Sequence, residues 1–368
     1  MKNNQRLFLD LHAIQSLPPA NINRDDTGSP KTAQYGGARR ARVSSQAWKK
    51  AMREYFYGHS EQRNVGVRTL EIVRYIAEHI RIQDTSITEN DSKIKAKGLL
   101  EKIKKKKKIF NINKDYKLDA MFFISKYQAQ KLAEAAINEE FDIKFLKNIL
   151  KNTPSIDIAL FGRMLAADPS LGEDASAQVA HAISTHAIQN EFDYYTAVDD
   201  LAPEDNAGAG MLGTIEFNSS TLYRYANIAV HELLKQLEKP DVVINTVKLF
   251  IEAFSNSLPT GKINTFAHQT LPQVLLITLR NDRPVNLVSA FEQPVKSTIG
   301  YIEKSIERLS QEFKRVEKFV NKPVLTMYVS FDRVAELQKI GEEKDSLHAL
   351  LHDFALMLNQ LIQPQEGD

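Results

Sequence analysis

Apolar residues recur along this chain with two periods, and the places where one gives way to the other outline the fold. Residues 6 to 14, RLFLDLHAI, alternate with a period of two and put Leu7, Leu9 and Leu11 on one face, which predicts a half-buried strand. Further strands are predicted at FDYYTAVDDL (192 to 201), TLYRYANIAV (221 to 230), QVLLITLR (273 to 280) and VLTMYVSF (324 to 331). The segment APEDNAGAGMLGTIEFNSS separates the first two of these four. It is rich in glycine and small residues and carries the apolar pair Met211-Leu212, which predicts a long β-hairpin arm with an apolar tip.

A period near 3.6 dominates from about 60 to 185, in VGVRTLEIVRYIAEHI, SKIKAKGLLEKIKKKKK, FDIKFLKNILK and ASAQVAHAISTHAI, and predicts a helical insert between strand-bearing parts. Before it, Pro18, Pro19, Gly28, Pro30 and the pair Gly36-Gly37 predict a long irregular connection. A helix then starts with Ser44 or Ser45 as its cap and runs to about Tyr57. At about 100° per residue, Trp48, Ala51, Met52 and Tyr55 share one stripe while Gln46, Lys49, Lys50 and Arg53 lie opposite. Strands that open and close the chain around a helical insert predict an α+β fold, ferredoxin-like with insertions.

Charge changes this picture at one place. The net charge of the 368 residues is only +2, yet residues 1 to 60 hold ten Lys or Arg against four Asp or Glu, which is +6. Six cations and no acid fall between 39 and 53, in Arg39, Arg40, Arg42, Lys49, Lys50 and Arg53. Two readings fit, a solvated face and a polyanion site. Arginine forks, lysine charge, Ser44 and Gln46 hydrogen bonds and a helix N-terminus suit phosphate oxygens held without base specificity. Six lysines in seven residues at 102 to 108 are of the kind usually solvated.

Catalytic patterns are sparse. There is no cysteine, hence no thiolate chemistry or disulfide, and none of G-x-x-x-x-G-K-[ST], G-x-S-x-G or H-E-x-x-H occurs. His181 and His186 are five apart, off one helical face. Asp25-Asp26 and Asp199-Asp200 could hold Mg²⁺ for phosphodiester hydrolysis, or act as caps and turn formers. No apolar run of about 18 residues and no secretory pattern occurs, so a cytoplasmic protein without a membrane partner is expected.

NRDD at 23 to 26, YGGARRARVSSQAWKKAMR at 35 to 53, IDIALFGRM at 156 to 164, AHAISTH ending at 186, YTAVDDL and LYRYANI at 222 to 228 together resemble the CasC family, the repeated backbone subunit of the type I-E CRISPR Cascade complex. The resemblance implies an RRM-like palm (1–59 and 186–368), an inserted helical fingers domain (60–185) and a hairpin thumb at about 196–224. It implies a non-catalytic scaffold, without cofactor or metal, that forms a helical homo-oligomer along a guide RNA beside other Cascade subunits and displays bases to target DNA. Carried over by position, guide-backbone contacts fall on Lys31, Arg40, Ser44, Gln46, Lys49 and Arg53, the thumb wedge on Leu212 and a base-contacting apolar residue on Met164, which could instead be core. Arg24, Arg39, Arg42, Lys50, Arg163 and Met211 complete the expected RNA-binding set. Lys144, Lys147 and Lys151, at helical spacing, are expected on target DNA, with Lys104 to Lys108 either joining them or simply solvated. Two positions depart from the family pattern: Ala38, where many relatives are basic, and Met211, where relatives can carry histidine. The rival expectation is a metal-dependent ribonuclease using loop aspartates.

Overall fold

Hydrogen-bond demand places the most apolar strands at the centre of one large sheet. The computed structural model describes residues 6–60, 64–103, 110–165, 168–197 and 211–363. The chain starts with β1 (Phe8–Ala20), β2 (Thr32–Tyr35), β3 (Ala38–Val43) and α1 (Ser45–His59). Next come β4 (Val67–Thr69), α2 (Ile72–Gln83), α3 (Glu89–Lys102), β5 (Phe122–Ile124), α4 (Lys126–Ile137), α5 (Ile143–Lys151) and α6 (Ile156–Phe161). Four strands follow, β6 (Ala177–Val179), β7 (Ala182–Ser184), β8 (Glu191–Ala197) and β9 (Met211–Ala229), then α7 (Val230–Leu237), α8 (Pro240–Asn256) and α9 (Ile263–Phe266). The last part holds β10 (Val274–Arg280), α10 (Ile302–Arg315), β11 (Leu325–Ser330), α11 (Ala335–Gln338), β12 (Glu342–Glu343) and α12 (Leu347–Ile362).

The sheet order is β12-β11-β10-β1-β9-β7-β3-β2, with β6 and β8 also paired to β9. Every pairing is antiparallel except β11 with β12, so the α+β class is as expected. On one face, Leu9, Leu11, Ala226, Ile228, Ile277 and Met327 pack with Met52, Phe250, Phe254 and Phe354 from α1, α8 and α12. On the other, Ile14, Tyr223, Tyr225, Leu276 and Tyr328 pack with Ile306, Leu309 and Phe313 of α10. β1 is therefore buried on both faces rather than one, and its alternate residues Asp10 and His12 are buried too.

Two segments differ from the pattern reading. ASAQVAHAISTHAI was expected helical, yet it forms β6 and β7, so the sheet resumes at Ala177. Alanine's helix preference is under about 1 kcal/mol per residue, less than the ladder bonds and burial offered by the long β9. The stretch before α1, expected irregular, contains the β2–β3 hairpin turning on Gly36-Gly37. Between these lies the helical insert, whose own core joins Ile72, Ile76, Leu99, Leu132, Leu146 and Leu150. Ile156, Ala159 and Leu160 of α6 belong instead to the core beneath the sheet.

Beyond the sheet, β8 and the start of β9 form a two-stranded arm, running from Glu191↔Phe217 to Ala197↔Met211. This hairpin begins five residues before the expected 196. Asp199 and Asp200 lie outside the described residues, as do Lys104 to Lys108.

Asp10 accepts hydrogen bonds from Tyr225 Oη (2.7 Å) and Val285 N (3.0 Å) and lies 3.4 Å from Arg280 Nε. Burial nevertheless outweighs these partners and pushes its carboxyl up to about 7. The folded state then binds a proton that the unfolded chain has released, so the Asp10 contribution is full below pH 3.8 and is lost as pH rises through about 7. Urea unfolding of wild type and Asp10→Asn should show the wild type losing stability relative to the variant across that window, and a pH-independent difference would refute it.

Candidate nucleic-acid interface

The basic edge is built from the β2–β3 hairpin and α1. Gly36 and Gly37 have φ of 58° and 71°, the paired positive values of a two-residue type I′ turn. A Cβ on Gly36 would stand 1.5 Å from the carbonyl oxygen of Glu292, so glycine lets the turn press against that backbone. Arg40 closes the junction from inside. Its Nε donates to Tyr35 O (3.2 Å), one terminal nitrogen to Ser184 O (2.8 Å), and the other to Phe291 O (2.8 Å) and Glu292 O (3.1 Å). Burial lowers the pKa of this fully enclosed guanidinium, with Tyr35 and Glu292 acting against the shift. The expectation that Arg40 holds phosphate is corrected, because its donors are occupied and solvent cannot reach them.

Ser44 caps α1, its hydroxyl accepting from Ala47 N (3.3 Å), and the first turn carries no acid to oppose an anion. Trp48, Ala51, Met52 and Phe56 seat the helix, while Tyr55 is half-buried and donates to Glu252 (2.9 Å). The Arg224 guanidinium stacks 3.8 Å from the Trp48 ring and 4.5 Å from Phe254, and donates to Gln15 and to the Phe254 carbonyl. On the opposite face Gln46 and Lys50 are exposed, with Lys50 in a weak pair to Glu54. Lys49 is half-buried, 5.6 Å from the Phe161 ring; burial, then Arg68, lowers its pKa.

Arg53 has another task. Its Nε is 2.9 Å from Asp157 Oδ2 and a terminal nitrogen donates to Gly66 O (3.0 Å). Buried Asp157 also accepts from Ser155 Oγ (2.6 Å) and Gly66 N (2.8 Å), so the pair latches α1 to the start of the helical insert. Breaking such a pair leaves a buried charge, so Arg53, expected on the guide backbone, also belongs to the frame, with its side chain 17% exposed.

Lys31 lies opposite Arg42 across the hairpin, Arg42 N donating to Lys31 O (2.9 Å). The Arg42 side chain donates through Nε to Thr32 O (3.1 Å) and meets His181 Nδ1 at 3.1 Å. Arg24 and Arg39 are exposed. Two residues that pattern reading missed stand at this edge: His181, beside Arg42, and Arg68, whose charge acts on Lys49. His181 enters the sequence reading only through its spacing from His186 and within AHAISTH; the β3–β7 pairing that brings it here has no local signal.

Asp25 closes its own loop by accepting from Thr27 N (3.0 Å), Thr27 Oγ1 (2.7 Å) and Ser29 N (3.0 Å), contacts that lower its pKa. Among the described residues no group of three or more His, Asp or Glu could hold a metal ion, and no helix is long and apolar enough to cross a membrane.

At the far end of α6, Gly162 takes φ of 78° and turns the chain. Arg163 then buries its guanidinium against Leu171 O (3.0 Å), Phe123 O (3.1 Å), Gln128 Oε1 (3.3 Å) and Leu150 O. Burial pushes its pKa down to about 10, still cationic at neutral pH, and as with Arg40 its expected RNA contact is corrected to a structural one. Held by that bolt, the next residue projects outward: Met164 is 92% exposed, which rules out its core alternative.

Met211 and Leu212 are also exposed, at 57% and 59%. Cross-strand register puts Phe192, Tyr194 and Leu212 on one face of the arm, all largely exposed. On α5, Lys144 and Lys151 are exposed, whereas Lys147 is tied to Asp168 at 2.5 Å and is not free. An RRM stacks bases on its open sheet face, but here α10 covers that face, leaving the β2–β3 edge, the cation face of α1, Met164 and the arm as the reachable surface.

Solved structures share this architecture. A chain described as "CRISPR RNA-guided surveillance complex, pre-nicking" superposes with a TM-score of 0.86 at 31% identity, covering 95% of this chain and 100% of its own length. Another, "CRISPR RNA-guided surveillance complex", gives 0.76 at 27% identity, covering 95% and 99%. The fold is that of a Cas protein. Residues 9–353 match the family of CT1975-like proteins, and the chain belongs to it, which bears out the CasC resemblance seen in the motifs. No curated protein matches the chain.

Arg40→Ala should lower stability by about 3 kcal/mol, since four carbonyls lose a charged donor, whereas exposed Arg39→Ala should stay within about 0.5 kcal/mol. Urea midpoints of the two variants measure the contrast, and equal midpoints would overturn the structural role of Arg40.

Proposed function

We propose that this chain is a non-catalytic scaffold subunit of a type I-E Cascade complex, binding a CRISPR guide RNA by its backbone and displaying its bases for pairing with target DNA. One observation carries the reading. The buried arginines Arg40 and Arg163 and the latched Arg53 build the frame, while Arg24, Lys31, Arg39, Arg42, Lys49 and Lys50 remain at the surface with Gln46 and the Ser44-capped helix end. A segregated row of cations without carboxylates to neutralise most of it suits a phosphate chain. Family membership supplies the nature of that chain.

Copies of the subunit would stack helically along one RNA, with other Cascade subunits at the ends, in the cytoplasm. The apolar face of the arm, Phe192, Tyr194 and Leu212 with Met211 nearby, would reach over the RNA held by a neighbour and unstack a base, with Met164 meeting it. Stacking an apolar side chain on a base offsets part of an unstacking cost of about a few kcal/mol. Lys144 and Lys151 are the surface cations suited to target DNA.

Titrating a single-stranded RNA against the protein at several salt concentrations tests the backbone reading. If about five cations touch phosphates, log affinity should fall against log salt with a slope on the order of −3.5. A flat dependence rejects it. Incubation with matched RNA and Mg²⁺ should leave the RNA intact, and cleavage abolished by Asp25→Ala or Asp26→Ala would make the protein a nuclease instead.

A further inference from the structure

His181 lies one residue before β7, and extending the pairing Val43↔Ala182 by one step sets it beside Ser44, the cap of α1. Its side chain is exposed, and Nδ1 is 3.1 Å from a terminal nitrogen of Arg42. A guanidinium has donors only, so Nδ1 must accept, and the proton of the neutral ring resides on Nε2. Burial, then the charges of Arg42 and Lys31, lower its pKa from the ordinary imidazole value and so favour the neutral ring. Arg42 is itself held in place by Thr32 O at 3.1 Å, which leaves its other terminal nitrogen without a protein partner among the described residues. Lys31 stands across the hairpin from it.

We propose that His181, Arg42 and Lys31 form one phosphodiester subsite, in which His181 presents a neutral Nε2–H donor and orients the Arg42 fork. The proposal rests on the RNA-binding reading and adds to it a residue that contributes a hydrogen bond without charge. Arginine and lysine release counterions when they meet phosphate; a neutral imidazole does not. The two contributions therefore separate in a salt titration.

Single-stranded RNA affinity of the full chain is measured across salt for wild type, His181→Ala, His181→Gln and Arg42→Ala, with thermal unfolding confirming the fold of each. His181→Ala should weaken binding on the order of three- to tenfold at every salt concentration with the slope unchanged. Arg42→Ala should weaken it further and make the slope shallower by about 0.7, while His181→Gln, which keeps an N–H donor, should retain most of the affinity. Wild-type affinity in His181→Ala, or a slope change in it equal to that of Arg42→Ala, overturns the subsite while leaving RNA binding intact. A wild-type chain that binds no RNA overturns both readings.

Discussion

A guanidinium enclosed by carbonyl oxygens is the constraint on which the basic edge depends. Arg40 draws together the β2–β3 turn, β7 and the backbone at Phe291 and Glu292, three stretches far apart in sequence. Burying a charge is costly unless its donors are met, and here they are met by dipoles rather than by a carboxylate. Arg163 is held in the same way and Arg224 by an amide, a carbonyl and two aromatic faces. No salt-bridge partner within 4 Å neutralises any of the three among the described residues, so each still contributes positive potential while it holds the fold together.

Arginines of the basic segment thus divide into frame and surface, and adjacency does not predict which is which. Arg39 and Arg40 are neighbours, yet strand alternation sends one outward and the other into the sheet junction. Arg53 shares a helical face with Lys49 and Lys50, but the buried carboxylate of Asp157 captures it. Lys147 on α5 is captured by Asp168 in the same manner, between the exposed Lys144 and Lys151. In each case an acid or carbonyl supplied by a distant element decides the outcome.

Closure of the sheet has a second consequence. With α10 laid over the face that bears Asp10, His12, Tyr223 and Tyr225, aromatic residues there are core and hydrogen-bond partners rather than a stacking platform. Exposed apolar groups appear instead at Met164 and along the arm. A two-stranded hairpin is at best marginally stable alone, which suits an element completed by what it meets.

Periodicity by itself determined the α+β class, β1, β9 to β11, the α1 helix with its buried stripe, and the helical insert, because those patterns record burial that the element itself enforces. Motif order determined the family, and the cation cluster marked the basic edge. Only the tertiary structure decided that the alanine-rich segment after the insert pairs as β6 and β7, that a glycine pair turns a hairpin in a stretch that looked irregular, and that β1 is covered twice. It also buried Arg40 and Arg163, tied Arg53 to Asp157 and Lys147 to Asp168, and brought His181 beside Arg42. The physical reason is common to all: a side chain's partners, when they come from strands and helices far along the chain, leave no mark in the local spacing of residues.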